Sequence, residues 1–295
     1  MTENIHFPES DIFPINTFVN NKKNISIGGV DLEELANIYG TPLYVYDENT
    51  IVETIKDFQT SFQSEIPNSV ISYSTKAFSN PYLLRLLDEN GMNIDVVTGG
   101  ELAIAKHVKF PSQRINFHGN NKSPEELKDA IDYGLGHITI DSFNEIENLK
   151  KITDDLNITQ DVMIRVSPSI DPHTHLLTTT GVLDSKFGFS IETGDAEKAI
   201  ESLMSIDSLN LLGLHFHLGS PIFELEPYAE AIEYVYKFSA EMKNKYGLDI
   251  REFSPGGGFA IGYETDKKPL PISDYAKIIG DAVKKACDLN GFNVP

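Results

Sequence analysis

Short runs of β-branched and aromatic residues alternate along the chain with amphipathic stretches. In residues 81–90, 123–134 and 142–152 the apolar positions recur with the spacing of a helix. Ser123, followed three residues later by Glu126, predicts a capping box at the start of one of these helices. Repeated strand-then-helix units predict an α/β fold, with a parallel sheet and helices outside it. The predicted strands are residues 42–47, 70–75, 93–98, 115–119, 137–141, 161–166, 210–219 and 249–257.

Polar residues and glycines follow nearly every predicted strand. In an open doubly wound sheet, ligands gather at one switch point, whereas in a (β/α)8 barrel every strand delivers side chains to one mouth. So many polar strand ends favour a TIM-like (β/α)8 barrel, and the open sheet is the alternative. The residues concerned are Lys76, 98–100, 118–120, 141–142, Arg165, His217 and 256–258.

The composition is acidic, with 24 Lys+Arg against 44 Asp+Glu and a formal net charge of −20. We therefore expect neither nucleic acid nor a membrane surface as a partner, because both would repel the chain. No apolar run is long enough to span a bilayer. The single cysteine, Cys287, and an N-terminus without the pattern of a signal peptide predict a cytoplasmic protein.

Lys76 directly follows a predicted strand. A lysine at the inner end of a barrel strand is partly desolvated, which lowers its pKa and frees its amine as a nucleophile. Such an amine suits bond formation with an aldehyde cofactor. The alternative is an ordinary solvated lysine at a strand end.

Two further motifs follow late strands. The glycines of 256–258 would let backbone N–H groups approach an anion such as phosphate, although a flexible turn has the same sequence. His215 and His217 lie two apart on a predicted strand and so share one face. They could stack on an aromatic cofactor or bind a metal, but without a third ligand at useful spacing we expect no metal. Ser220 follows them and could bind a phosphate oxygen or cap the next segment.

Acidic residues supply candidates for proton transfer at the same mouth. Asp95 lies within a predicted strand, Asp141 ends one and Glu101 follows one, and Glu101 also suits a helix N-terminus. The polar stretch 167–190 has little periodicity and contains a His-Thr-His sequence at 173–175. Loops of this length inside compact domains are usually functional or disordered.

The ordered segments also carry a family resemblance. They are YSTKAFSN (73–80), NIDVVTGGEL (93–102), INFHGNNKS (115–123), ITIDSFNEI (138–146), MIRVSP (163–168), HTHLLTTTG…DSKFGFS (173–190), GLHFHLGS (213–220) and FSPGGGFAIGY (253–263). Taken together, they resemble the alanine racemase-like (fold type III) pyridoxal-phosphate decarboxylases, and within these the diaminopimelate decarboxylase branch.

The resemblance implies that the catalytic residue is Lys76, which would hold pyridoxal 5'-phosphate covalently. His217 would stack on the cofactor ring, and the glycine triplet with Ser220 would bind its phosphate. The implied cofactor-binding residues are Lys76, Asp95, Arg165, His217, Ser220, Gly256, Gly257 and Gly258, and the implied substrate loop contains His175, Ser185 and Lys186.

The resemblance also implies the architecture. Residues 43–295 would form a barrel of the alanine racemase type, with 42–47 outside it and the eighth strand missing. Residues 1–42 would pack with a C-terminal β-domain that this sequence lacks. The full-length protein would be a homodimer.

The implied function is decarboxylation of meso-2,6-diaminopimelate to L-lysine, a small amino-acid substrate, by a carboxy-lyase of lysine biosynthesis. One alternative keeps the fold and changes the substrate to ornithine, arginine or carboxynorspermidine. Another is a protein that binds the cofactor without catalysis.

Overall fold

The computed structural model describes residues 5–6 (backbone only), 12–170, 187–262 and 268–295. Its N-terminal part is a small antiparallel sheet in the order β1-β2-β3-β4, followed by helix α1 (Leu32–Tyr39). The four strands are β1 (Ile5–His6), β2 (Thr17–Val19), β3 (Ile25–Ile27) and β4 (Val30–Asp31).

A larger parallel sheet follows. Its strands are β5 (Ser72–Ser74), β6 (Asn93–Val96), β7 (Ile115–Phe117), β8 (His137–Ile140), β9 (Gln160–Ser167), β10 (Phe189–Ser190), β11 (Leu209–His215) and β12 (Glu252–Ser254). Within the described residues the order is β12-β11-β9-β8-β7-β6-β5, and β10 pairs with β9 beside this path. Each strand along the path lies next to the one before it in sequence, as repeated strand-helix units require.

Helices alternate with these strands, and capping side chains in the local sequence determine where several of the helices begin. Asn80, Thr98, Ser123 and Ser142 cap four of them with their side chains. The capping box of Ser123 and Glu126 is confirmed. No helix in the described part of the chain is long and apolar enough to cross a bilayer. The helices are α2 (Glu48–Glu65), α3 (Pro81–Glu89), α4 (Gly99–His107), α5 (Pro124–Tyr133), α6 (Phe143–Leu156), α7 (Asp195–Met204), α8 (Glu226–Tyr246) and α9 (Ile272–Asn290).

Contacts across the lumen show that the parallel sheet curls. At the C-terminal ends of the strands, the rings of His118 and His215 meet at 4.7 Å, although β8 and β9 separate their strands in the sheet. At the opposite end, His137 Nδ1 lies 3.3 Å from Glu252 Oε2, across β9 and β11. A flat sheet would keep these residues several strand spacings apart, about 4.8 Å each. The barrel-type α/β fold is therefore confirmed, and the open doubly wound alternative is excluded.

Two helices of the outer layer pack against each other outside the two edge strands of the described sheet. β5 and β12 form the two ends of the strand order. Outside them α2 packs against α9, and Lys284 Nζ lies 3.0 Å from Glu65 Oε2. Phe259, after β12, packs against Phe58 and Phe62 of α2. The helices thus bring the edge strands toward each other.

The strand predicted over 42–47 is wrong, and the segment lies outside the parallel sheet, where the family resemblance placed it. Residues 43–47 have no regular structure, and Tyr44 is 88% exposed. Alternating apolar residues resemble a strand, but they pair with no strand among the residues that the structure describes. Tyr46 instead stacks on Phe78, with ring centroids 4.6 Å apart. The division of the chain between residues 42 and 43 stays a prediction.

Gly213 tests how closely β11 and β12 must approach. It pairs with Glu252, and a Cβ added to Gly213 would overlap the Glu252 carbonyl oxygen. We expect Gly213→Ala to lower the free energy of unfolding by about 1–3 kcal/mol in urea denaturation. The matched control is Gly100→Ala, where the added Cβ makes only ordinary contact. Equal effects of the two substitutions would contradict this packing.

Candidate active site

The C-terminal ends of three neighbouring strands lie at one level of the mouth. His215 pairs in register with Arg165 of β9 and with Ser254 of β12. Its Nδ1 lies 2.9 Å from the Ser254 hydroxyl oxygen, while the His118 ring approaches from the other side of the lumen. The strand ends thus converge on a shared space, as the barrel prediction requires.

Lys76 follows β5 and reaches this space. The residue is exposed at the mouth, yet partial desolvation and the Arg165 guanidinium lower the pKa of its amine. The carboxylates of Asp95 and Glu101 oppose that shift. A lowered pKa increases the neutral fraction of the amine, which is the form that attacks an aldehyde.

The loop that carries Lys76 is fixed by Thr75 and Glu101. Thr75 is buried, and its N–H donates to the Asp95 carbonyl oxygen at 3.0 Å. Its hydroxyl lies 2.5 Å from Glu101 Oε2, and the Val97 N–H donates to the same oxygen at 2.9 Å. Glu101, which the sequence left open between proton transfer and a helix start, therefore lies in the first turn of α4 and joins two neighbouring loops.

Asp95 lies inside the lumen, on the wall formed by β5 to β7. Asn116 Nδ2 donates to its Oδ1 at 3.0 Å and lies 3.1 Å from Ser72 Oγ. His118 Nε2 lies 3.8 Å from the same oxygen of Asp95. Burial raises the pKa of Asp95, and the hydrogen bonds from Asn116 and Ser72 oppose the rise.

The histidines of the lumen are neutral at physiological pH. Burial lowers the pKa of His118 to about 3 and of His217 to about 3, and the Arg165 and Lys76 cations contribute to both shifts. Burial likewise lowers the pKa of His137 to about 4. Neutral imidazoles present flat aromatic faces at the mouth without adding positive charge.

The glycine triplet packs against the His217 loop, at distances that only glycine allows. Gly256 has φ +74°, and an added Cβ would lie 2.5 Å from the Phe216 carbonyl oxygen and 3.0 Å from His217 Nδ1. At Gly258, with φ +96°, it would overlap the Gly219 carbonyl oxygen. The backbone near Gly257 is open, since a Cβ there would meet nothing within 4 Å. Such a turn can present backbone N–H groups to an anion.

The other expected site residues are distributed as follows. Ser220 is exposed at the end of the His217 loop. Arg165 is largely buried, and its Nη1 lies 3.8 Å from Asp141 Oδ1. His175, Ser185 and Lys186 lie outside the described residues. Within the described ranges, no group of three or more His, Cys, Asp or Glu side chains is arranged to hold a metal.

Comparison with known proteins decides the family. Residues 49–294 match the pyridoxal-binding domain of the pyridoxal-dependent decarboxylases. The chain belongs to this family. Its cofactor is pyridoxal phosphate, and the mouth offers a lysine amine of lowered pKa, a neutral imidazole and a glycine turn whose backbone is open at Gly257. These features fit an aldehyde with an aromatic ring and a phosphate.

Relatives within the pyridoxal-dependent decarboxylases agree with this assignment. The chain is 41% identical to the diaminopimelate decarboxylase of Bacillus subtilis over 276 residues, which are 94% of this chain and 63% of that protein. The diaminopimelate decarboxylase structure from M. jannaschii is 33% identical, with a TM-score of 0.87 over 95% of this chain and 65% of that one. The Helicobacter pylori diaminopimelate decarboxylase complexed with L-lysine is 32% identical, with a TM-score of 0.78 over 86% and 63%. The chain thus spans just under two thirds of each relative's length.

A buried ion pair beneath the mouth of this decarboxylase-family domain was missed by sequence reasoning. The Lys122 side chain is 0% exposed, and its Nζ lies 2.8 Å from Glu145 Oε1. The ammonium also donates to the carbonyl oxygens of Gly119 and Thr139. Lys122 follows a strand as Lys76 does, so the sequence offers little to separate a buried structural lysine from a reactive one.

The neutral histidines of the mouth predict a pH-dependent stability. Since the pKa of His118 falls from 6.5 to about 3 on folding, the unfolded chain binds an extra proton between those values. Stability from this group is therefore complete above pH 6.5 and is lost as pH falls through this window. For His118→Gln, the slope of unfolding free energy against pH should be smaller by up to about 1.4 kcal/mol per pH unit.

The measurement is urea unfolding at several pH values within that window. His107→Gln is the matched control, in which the same exchange is made at an exposed histidine of α4 away from the lumen. Identical slopes for the chain and its His118→Gln variant would show that His118 is not buried in its neutral form.

Proposed function

We propose that this chain is the cofactor-binding part of a carboxy-lyase that converts meso-2,6-diaminopimelate to L-lysine. The observation that carries the proposal is the lysine amine at 76, whose pKa is lowered at a mouth shared with His217 and Arg165. The names of the relatives support the substrate, since those at 36–41% identity are diaminopimelate decarboxylases.

Lys76 would bind the cofactor covalently through its amine. Burial and the Arg165 guanidinium lower the pKa of that amine, while Asp95 and Glu101 oppose the shift. When bound, pyridoxal phosphate supplies an electron sink for the electron pair that departing CO2 leaves behind. The protein's own part is to hold, orient and desolvate the reacting groups.

The remaining cofactor contacts are assigned from shape and charge. The ring of His217, neutral and largely desolvated, suits stacking on an aromatic ring. The backbone of 256–258, together with Ser220, would bind phosphate, which an acidic chain must hold with local donors. Asp95 would contact the cofactor from the opposite wall of the lumen.

The substrate assignment has two supports. The Helicobacter pylori relative was solved with L-lysine, which is the product of the proposed reaction. The segment 167–190 carries the His-Thr-His and Ser-Lys-Phe-Gly motifs that favour diaminopimelate over other basic amino acids. His175, Ser185 and Lys186 of that segment would form the substrate loop.

The proposal also includes the domain organisation, the oligomeric state and the location of the full-length protein. Residues 1–42 would pack with a further β-domain, which is supported by the 71% exposure of both Ile38 and Tyr39 and by the greater length of the relatives. The full-length protein would be a homodimer. The single cysteine, Cys287, is free and supports a location in the cytoplasm.

Borohydride trapping tests the role of Lys76. The chain is incubated with pyridoxal phosphate, reduced and analysed by peptide mass spectrometry. The adduct should lie on Lys76, because its amine is more nucleophilic than that of an ordinary exposed lysine. Lys76→Ala should abolish the adduct, while Lys128→Ala, at an exposed lysine of α5, should leave it unchanged. An adduct of undiminished yield in the Lys76→Ala variant would refute the assignment.

A substrate panel tests the reaction. With pyridoxal phosphate present, CO2 release should be detected from meso-diaminopimelate and not from ornithine, arginine or carboxynorspermidine. Release from one of the latter alone would replace the proposed substrate. Cofactor binding without release from any of them would show that this part of the enzyme has no decarboxylase activity of its own.

A further inference from the structure

The segment that follows the undescribed part of the 167–190 loop is seated on strand β9. We call residues 187–190 the stem. Within it, β10 pairs with Val166 and Ser167 of β9, and Ile191 N–H donates to the Ser167 carbonyl oxygen at 3.2 Å. Phe189 is buried against Phe143, with ring centroids 4.9 Å apart. The stem is thus a fixed part of the barrel wall.

Gly188 brings the stem into contact with two polar residues of the mouth. Its φ is +72°, and an added Cβ would lie 2.7 Å from the Arg165 carbonyl oxygen. Its N–H donates to Asp141, with Oδ1 and Oδ2 each 3.0 Å away. A charged acceptor makes this a stronger bond than a neutral backbone pair.

Arg165 is enclosed by Phe187 of the stem and by Asp141. Its guanidinium carbon lies 4.6 Å from the centroid of the Phe187 ring, which belongs to the stem. Its Nη1 lies 3.8 Å from Asp141 Oδ1, and only 13% of its side chain is exposed. The carboxylate of Asp141 therefore faces both the stem and the guanidinium.

Glu145 and Lys122 stabilise the position of Asp141. Its side chain is 4% exposed, and its N–H donates to Glu145 Oε2 at 3.1 Å. Glu145 in turn pairs with Lys122. A buried carboxylate is costly unless it is paired and hydrogen-bonded, and nothing in the proposed chemistry uses Asp141. These contacts indicate that the buried carboxylate of Asp141 has a structural role.

We propose that Asp141 is a positioning residue, whose carboxylate seats the stem through Gly188 and orients the Arg165 guanidinium in the mouth. The bond to Gly188 fixes the stem, the stem presents the Phe187 ring, and the carboxylate supplies the opposing charge. The consequence for catalysis rests on the proposed function, in which Arg165 lies beside the cofactor.

Two substitutions separate the carboxylate's charge from its hydrogen bond. Asp141→Asn removes the charge that faces Arg165 but keeps an oxygen that can accept from the Gly188 N–H. Asp141→Ala removes both. The matched control is Asp155→Asn, the same exchange at an exposed residue of α6. All variants are compared without cofactor, so the outcome does not depend on the proposed function.

Two readouts report on the two contacts. Labelling by phenylglyoxal, followed at Arg165 by mass spectrometry, should be at least about threefold faster in Asp141→Asn than in the unaltered chain, because the ionic partner is lost. Amide exchange over 187–190 should rise less in Asp141→Asn than in Asp141→Ala, because the amide oxygen of asparagine can still accept from the Gly188 N–H. In Asp141→Ala it should rise at least about tenfold, because a hydrogen bond to a charged acceptor is lost.

The outcomes divide cleanly. Arg165 labelling in Asp141→Asn at the rate of the Asp155→Asn control would overturn the proposal, as would unchanged exchange of the stem in Asp141→Ala. If Asp141→Ala does not fold, the labelling of Asp141→Asn decides alone, since that substitution preserves the volume of the side chain.

Discussion

The curl of the parallel sheet is the constraint on which the site depends. Lys76 follows an edge strand of the described sheet, whereas the His217 loop follows β11, close to the opposite edge. In a flat sheet these residues would lie on opposite margins. The contacts of His118 with His215 and of His137 with Glu252 record the curvature at both ends of the lumen. Everything proposed about the mouth follows from this curl of the sheet.

The curl also removes ionisable groups from water, and their neighbours influence which of them stay charged. The histidines of the lumen become neutral, and burial raises the pKa of Asp95 while it lowers that of Lys76. Arg165 keeps its charge in the same space, facing Asp141.

Local features of the sequence predicted their structures well, because short-range physics determines them. The capping box of Ser123 and the alternation of strands and helices are examples. Features that depend on distant neighbours were harder to predict. Residues 42–47 alternate like a strand but pair with no strand in the described part of the chain, and Lys122, which follows a strand as Lys76 does, lies in a buried ion pair. Ordered motifs identified the family, since together they encode the tertiary arrangement that single motifs leave open.

The central claim is that Lys76 and the glycine turn at 256–258 serve one bound cofactor. A crystal structure of the chain soaked with pyridoxal phosphate tests it most directly. The account predicts electron density continuous with Lys76 Nζ and a phosphate at the backbone amides of the turn. A phosphate bound elsewhere, or a cofactor attached to another lysine, would contradict it.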